Sequence, residues 1–212
     1  MTSGFIKYRQ SINNINIDEV EKKIAKIANV DEHKDNFIKV SHNMFYNNFI
    51  DYKEIQDKFD YLITIHEYHD LISDSSNDVP LQIDSPKLAM VIMDKVNNFT
   101  TLKDKLENLA KNEDYKLFKE YYTEAYSTVV GWYMDFHNFF KFPQISSACY
   151  EDQKNNIFAH SDMTLTNIIC TEDDKFILID PDSFCWHTEL ELVFNYNKTL
   201  QRLSQVGFGS FA

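Results

Sequence analysis

His160, Asp162 and Asn167 stand at the spacing H-x-D-x-x-x-x-N, and Asp180 follows them at the end of a patterned stretch. Between Asn167 and Asp180 lie a short apolar run, Ile168–Cys170, a charged turn, Thr171–Lys175, and a second apolar run, Phe176–Ile179. Two strands joined by that turn would carry Asp162, Asn167 and Asp180 to one edge of a hairpin. The chemistry suited to such a set is phosphoryl transfer. A carboxylate on a loop accepts the proton of an attacking hydroxyl, while hard oxygen donors hold magnesium against the phosphates of a nucleotide. Asp162 takes the first role, Asn167 and Asp180 the second. A plainer alternative is a hairpin with turn residues at its ends, because Asp and Asn tolerate left-handed backbone and bond their own main chain. The joint occurrence of these positions in a strand context favours the chemical alternative.

In this order of residues the chain resembles the protein-kinase-like superfamily, whose catalytic loop and metal-binding Asp succeed each other in the same way. It resembles the aminoglycoside phosphotransferase and choline kinase branch more than the protein kinases. Ser161 stands where protein kinases have Arg, Thr164 where Ser/Thr kinases have a Lys, and IDPD replaces the D-F-G triplet. The resemblance implies an α+β, two-lobed fold, with a small β-rich N-lobe over residues 1–96 and an abbreviated helical C-lobe over residues 97–212. It implies ATP and Mg as cofactors and a hydroxyl acceptor, a small molecule in the first instance. It also implies that His160 holds the loop without moving a proton, and it makes Asp182 a candidate for a further contact at the metal.

The elements that must position these groups lie upstream. The first forty residues are expected to be β-rich. Glu19–Asn29, with Val20, Ile24 and Ile27, fits a helix or an irregular strand and is assigned to a strand, and Asn36–Val40 forms a second one. Lys39 in FIKV matches the phosphate-contacting Lys of the family's V-A-I-K strand. Asp51–Ile72 is expected to be one long helix, from Ile55, Phe59, Leu62, His66 and His69 at steps of three or four residues. By resemblance that helix carries the carboxylate orienting Lys39, with Glu67 preferred over Glu54. Leu88–Met93 is an almost continuous apolar run, the pattern of a strand buried on both faces. By resemblance it leads to a hinge at Asp94–Lys95–Val96, so that Ile92, Asp94 and Val96 would line the adenine site. Helices are expected over Phe99–Leu109, capped by Thr100 or Thr101, over the aromatic-rich Tyr115–Phe140, and over Thr188–Val206, with a frayed end beyond.

Two features depart from the family pattern. The four glycines, Gly4, Gly131, Gly207 and Gly209, form no G-x-G-x-x-G loop, so SINNIN, with Asn13 and Asn14, is the only substitute for a phosphate clamp. The stretch after Asp180 leaves no room for an activation segment with several helices behind it.

Composition narrows the remaining classes. At 212 residues, 43% hydrophobic and 15% aromatic, the chain can bury a full core. A net charge of −12 argues against nucleic acid as a partner, which needs clustered Lys and Arg. Without a long apolar run or an apolar leader in MTSGFIKYRQ, no membrane partner is expected and a cytoplasmic setting is. Cys149, Cys170 and Cys185 have neither disulfide nor zinc spacing. Besides the small-molecule phosphotransferase, two other functions fit: a compact protein kinase acting on Ser/Thr of a partner, and a catalytically silent nucleotide-binding scaffold.

Overall fold

The computed structural model describes residues 17–41, 46–71, 88–140 and 157–209. The chain is α+β and divides into two compact units, Met1–Asp57 with Thr64–Lys95, and Lys58–Ile63 with Val96–Ala212. The expected boundary at residue 96 did not anticipate that residues 58–63 belong to the second unit.

The first unit contains helix α1 (Ile17–Ala28), a 3-10 turn at Asp31–His33, strand β1 (Phe37–Ser41), helix α2 (Tyr46–Gln56), and strands β2 (Ile65–Asp70) and β3 (Ala89–Met93). The strands form an antiparallel sheet in the order β1-β3-β2. Every residue of β3 is buried, as its unbroken apolar run required. The strand assigned to Glu19–Asn29 is instead the helix α1. Val20, Ile24 and Ile27 form a stripe of helical period that packs with Leu71, Leu88 and Met90, against Ile38 and Val40 of β1.

The single helix expected over Asp51–Ile72 does not form. α2 ends at Gln56, whose Oε1 accepts from the Ile65 N–H at 2.9 Å, and Lys53 Nζ donates to the Ile65 carbonyl at 2.8 Å. The apolar steps that suggested one helix serve two units. Phe59 meets Phe136 and Phe139 edge-on in the second unit, while Ile65–Asp70, with its aromatic and β-branched content, extends as β2. A register shift between Ile65 and Glu67 leaves His66 as a bulge residue, bonded through Nε2 to Asp94 Oδ1 at 2.7 Å. His66 and His69 are therefore strand residues, not neighbours on a helix face.

The second unit contains β4 (Thr100–Thr101), α3 (Leu102–Lys111), α4 (Tyr115–Phe140), β5 (Ile157–His160), β6 (Ile168–Cys170), β7 (Phe176–Leu178), β8 (Phe184–His187) and α5 (Glu189–Gly209). β4, β6 and β7 form one antiparallel sheet and β5 pairs with β8 in another. Thr101 caps α3, its Oγ1 accepting from the Asp104 N–H at 3.1 Å. α4 covers the whole span expected of it and buries Tyr121, Trp132 and Phe136. Thr188 and Glu191 form a capping box before α5, which runs three residues past the expected end. The segment 58–63 closes the outer edge of the hairpin: Leu178 donates its N–H to Tyr61 O at 2.8 Å, and Tyr61 stacks on Trp132. No helix among the described residues is long and apolar enough to cross a membrane. The stretch SINNIN and Cys149 lie outside the described residues.

Candidate active site

Two pairings bring the sequence motif to one place within the second unit. β5 ends at His160, opposite Phe184 of β8, so the loop after β5 lies beside the turn that precedes β8. Ser161 secures that apposition by donating both its N–H (2.8 Å) and its Oγ–H (2.7 Å) to the Ser183 carbonyl. The β6–β7 ladder then places Asn167 across from Ile179, whose N–H donates to the Asn167 carbonyl at 2.9 Å. Asn167 Nδ2 donates to the Asp162 carbonyl at 2.9 Å, which ties the loop after β5 to the hairpin. Asp162, Asn167 and Asp180 thus converge at one end of the hairpin.

Each side chain is set by its local backbone. Asp180 is left-handed, with φ 72° and ψ 55°, and starts the 3-10 turn Pro181–Ser183. Pro181 suits the first position of that turn because its fixed φ is already helical. Asp180 Oδ2 accepts from Ser183 Oγ at 2.8 Å, which orients the carboxylate. With its amide nitrogen engaged, Asn167 presents its oxygen as the acceptor. The Asp162 carboxylate is about half exposed and receives Arg202 Nη1 at a long 3.4 Å. Among the described residues no group of three or more His, Cys, Asp or Glu could hold a metal ion by itself. Magnesium does not need one, since it keeps waters and substrate phosphates around one or two protein oxygens. Asp180 and Asn167 fit that requirement.

His160 is buried and serves the loop. Its Nε2 lies 3.0 Å from the Ile179 carbonyl, and its Nδ1 accepts from the Asp162 N–H at 3.2 Å. Both bonds are satisfied together by the neutral ring protonated on Nε2. Burial holds the His160 pKa below its ordinary value, against the opposing pull of the Ile179 carbonyl and nearby carboxylates, and burial lowers His187 as well. For such groups the unfolded chain binds more protons, so their contribution is complete above pH 6.5 and is lost as the pH falls below it. Urea midpoints are expected to drop between pH 7.5 and 5.5, with each of the two histidines adding up to about 1.4 kcal/mol per pH unit. A His160→Gln variant should have a shallower slope; an equal slope would remove His160 from this role.

The other expected site residues lie in the first unit. Lys39 sits on β1, partly buried, opposite Val91, which in turn faces Tyr68 of β2, so these three share one side of the sheet. Glu67 is opposite Ile92, which in turn is opposite Ile38, on the other side. It is a strand residue bonded to His69 Nε2 at 2.8 Å, with His33 Nε2 at 3.7 Å, and cannot be the helix-borne partner of Lys39. Glu54 does lie on α2, but exposed. α2 packs over the Lys39 side, with Phe49 stacked on Tyr68 at 5.1 Å, and its buried carboxylate is Asp51. Asp51 was missed in the sequence. The available signal was its place beside Tyr52, Ile55 and Gln56, the buried stripe of that helix. Ile92 is fully buried in β3, Asp94 is half-exposed with its N–H on Thr64 O at 2.9 Å, and Val96 begins the second unit.

No protein-family model matches the chain, and no curated protein matches it either. Among solved structures the chain is similar to the choline kinase LicA from Streptococcus pneumoniae, at 12% sequence identity and a TM-score of 0.36, over 88% of this chain and 77% of that one.

Sequence reasoning also missed a cleft beside the loop after β5, lined by α3, residues Thr164–Thr166 and the later part of α5. The loop is fixed to both helices. Lys103 N–H donates to Leu165 O at 3.2 Å, and Thr199 Oγ1 donates to Met163 O at 2.7 Å from a buried position. Arg202 both lines the cleft and touches Asp162.

Proposed function

We propose that this chain is a kinase-like phosphotransferase that moves the γ-phosphoryl group of magnesium-bound ATP to a hydroxyl, with a small molecule as acceptor. The observation that carries the proposal is the convergence of Asp162, Asn167 and Asp180 at one hairpin end, held by the Ser161, Asn167 and His160 hydrogen bonds. Asp162 accepts the proton of the attacking hydroxyl as the new O–P bond forms. The bond from the γ-phosphorus to the β–γ bridging oxygen breaks, and ADP leaves with its electron pair. Asn167 and Asp180 would hold magnesium, which when bound neutralises charge on the phosphates. The kinase-like division of labour gives nucleotide binding to the first unit and catalysis to the second. In it Lys39 contacts phosphate, Asp51 replaces Glu67 as the carboxylate that orients it, and residues 94–96 receive the adenine, whereas Ile92, fully buried on the side of the sheet away from Lys39, is a core residue and not part of that site. A cytoplasmic setting belongs to the same proposal.

Lys39→Ala is expected to raise the KM for ATP about 10–100-fold, the range for losing a charge-assisted phosphate contact. An unchanged KM would remove Lys39 from the site. The proposal as a whole is tested with γ-labelled ATP, magnesium and cell extract, separating small molecules from protein afterwards. Label in a small molecule supports it, label in protein bands points to a protein kinase, and no label with no ATP consumption leaves a silent scaffold.

A further inference from the structure

The cleft beside the catalytic loop has a volume of about 680 Å³, within the range of small-molecule sites. Its walls carry Lys103, Lys111 and Arg202 against a single carboxylate, Glu107. That is the reverse of the chain as a whole, where 33 acidic residues outnumber 21 basic ones. Glu107 does not cancel the lysines. It lies 3.8 Å from Lys103 Nζ and 3.9 Å from Lys111 Nζ, one turn away on either side, two long contacts on an exposed helix face. Arg202 commits one nitrogen to Asp162, and a guanidinium has five N–H donors in a fork that matches phosphate oxygens. The hydroxyls of Thr164 and Thr166, 2.8 Å apart on the loop, add neutral donors to the same wall.

We infer that this cleft holds the acceptor, and that the acceptor is a small phosphomonoester carrying a free hydroxyl, such as the phosphate ester of a sugar or polyol. The inference rests on the phosphotransferase reading and specifies its substrate class. The acceptor's phosphate is anchored by Lys103, Lys111 and Arg202. Because Arg202 reaches the Asp162 carboxylate, a hydroxyl a few bonds from that phosphate is presented to the base. The hydroxyl proton passes to Asp162, the acceptor oxygen bonds to the γ-phosphorus of ATP, and ADP departs with the electron pair of the broken bond. The basic wall selects against cationic acceptors, which would be repelled where the phosphate is held.

Calorimetric titration of the full chain tests this, with glucose 6-phosphate and glycerol 3-phosphate as probes and with glucose, glycerol, choline and inorganic phosphate as controls. The phosphate esters are expected to bind, more tightly than inorganic phosphate and equally well with ADP and magnesium present; glucose, glycerol and choline are not. Lys111→Glu, at an exposed position where folding is not at stake, and Lys103→Gln should each weaken the esters by about tenfold or more. Choline or the neutral alcohols binding as well as the esters would overturn the inference. So would Lys111→Glu without effect, inorganic phosphate matching the esters, or ADP displacing them. ATP turnover measured on the same sample separates the two readings: turnover without ester binding overturns the phosphomonoester alone, and no turnover overturns both.

Discussion

Asp162→Asn is expected to slow phosphoryl transfer by about 10²–10⁴-fold, the range for loss of a general base. The substitution keeps the shape of the side chain and an oxygen that can still accept from Arg202. It also leaves the backbone contacts in place, because the groups that Asn167 and Thr164 bond are the main-chain carbonyl of Asp162, not its carboxylate. What disappears is the capacity to take a proton at neutral pH. The effect should therefore fall on kcat, with the affinity for magnesium–ATP within about twofold of the wild type. Steady-state kinetics together with equilibrium nucleotide binding separate these terms. A variant with full kcat would show that another group accepts the proton.

Asp180→Asn is expected to act on binding as well as rate. Asn is the substitution of choice because Asp180 is left-handed, and Asn tolerates that backbone where Ala would add strain. Asn keeps an oxygen for Ser183 but removes the only negative charge among the two proposed metal ligands. Loss of that charge should cost several kcal/mol of phosphate neutralisation, or about 10²–10⁴-fold in transfer, with weaker magnesium–ATP binding besides. Raising the metal concentration should recover part of the loss. It should recover none of the loss in Asp162→Asn, and that contrast distinguishes ligand from base.

What the sequence made legible follows from the range of the interactions involved. The hairpin from Ile168 to Ile179, helix α4 and strand β3 are written in local patterns: a charged turn between apolar runs, a helical repeat of aromatics, and an unbroken apolar stretch. The set Asp162, Asn167 and Asp180 was legible for the same reason, since two short strands suffice to bring it together. Where distant chain segments decide, local pattern misled. Phe59 and Leu62 kept helical step with Ile55 only by coincidence, because they pack along α4 and β7, beyond the reach of any local repeat. The bulge at His66 then set which way Glu67 faces, and no spacing rule reports a bulge. The cleft was invisible for a related reason. Arg202 meets Asp162 from 40 residues away, and its neighbours Lys103 and Lys111 look in sequence like the solvated face of a surface helix.

The claim on which the rest depends is that Asp180 and Asn167 hold a divalent ion together with nucleotide, and Mn²⁺ titration in the presence of ATP, followed by electron paramagnetic resonance, tests it most directly. The wild type and Asp162→Asn should broaden the Mn²⁺–ATP signal alike, with the effect lost in Asp180→Asn and weakened in Asn167→Ala. Equal uptake by all four proteins, or no uptake by the wild type, would contradict the account.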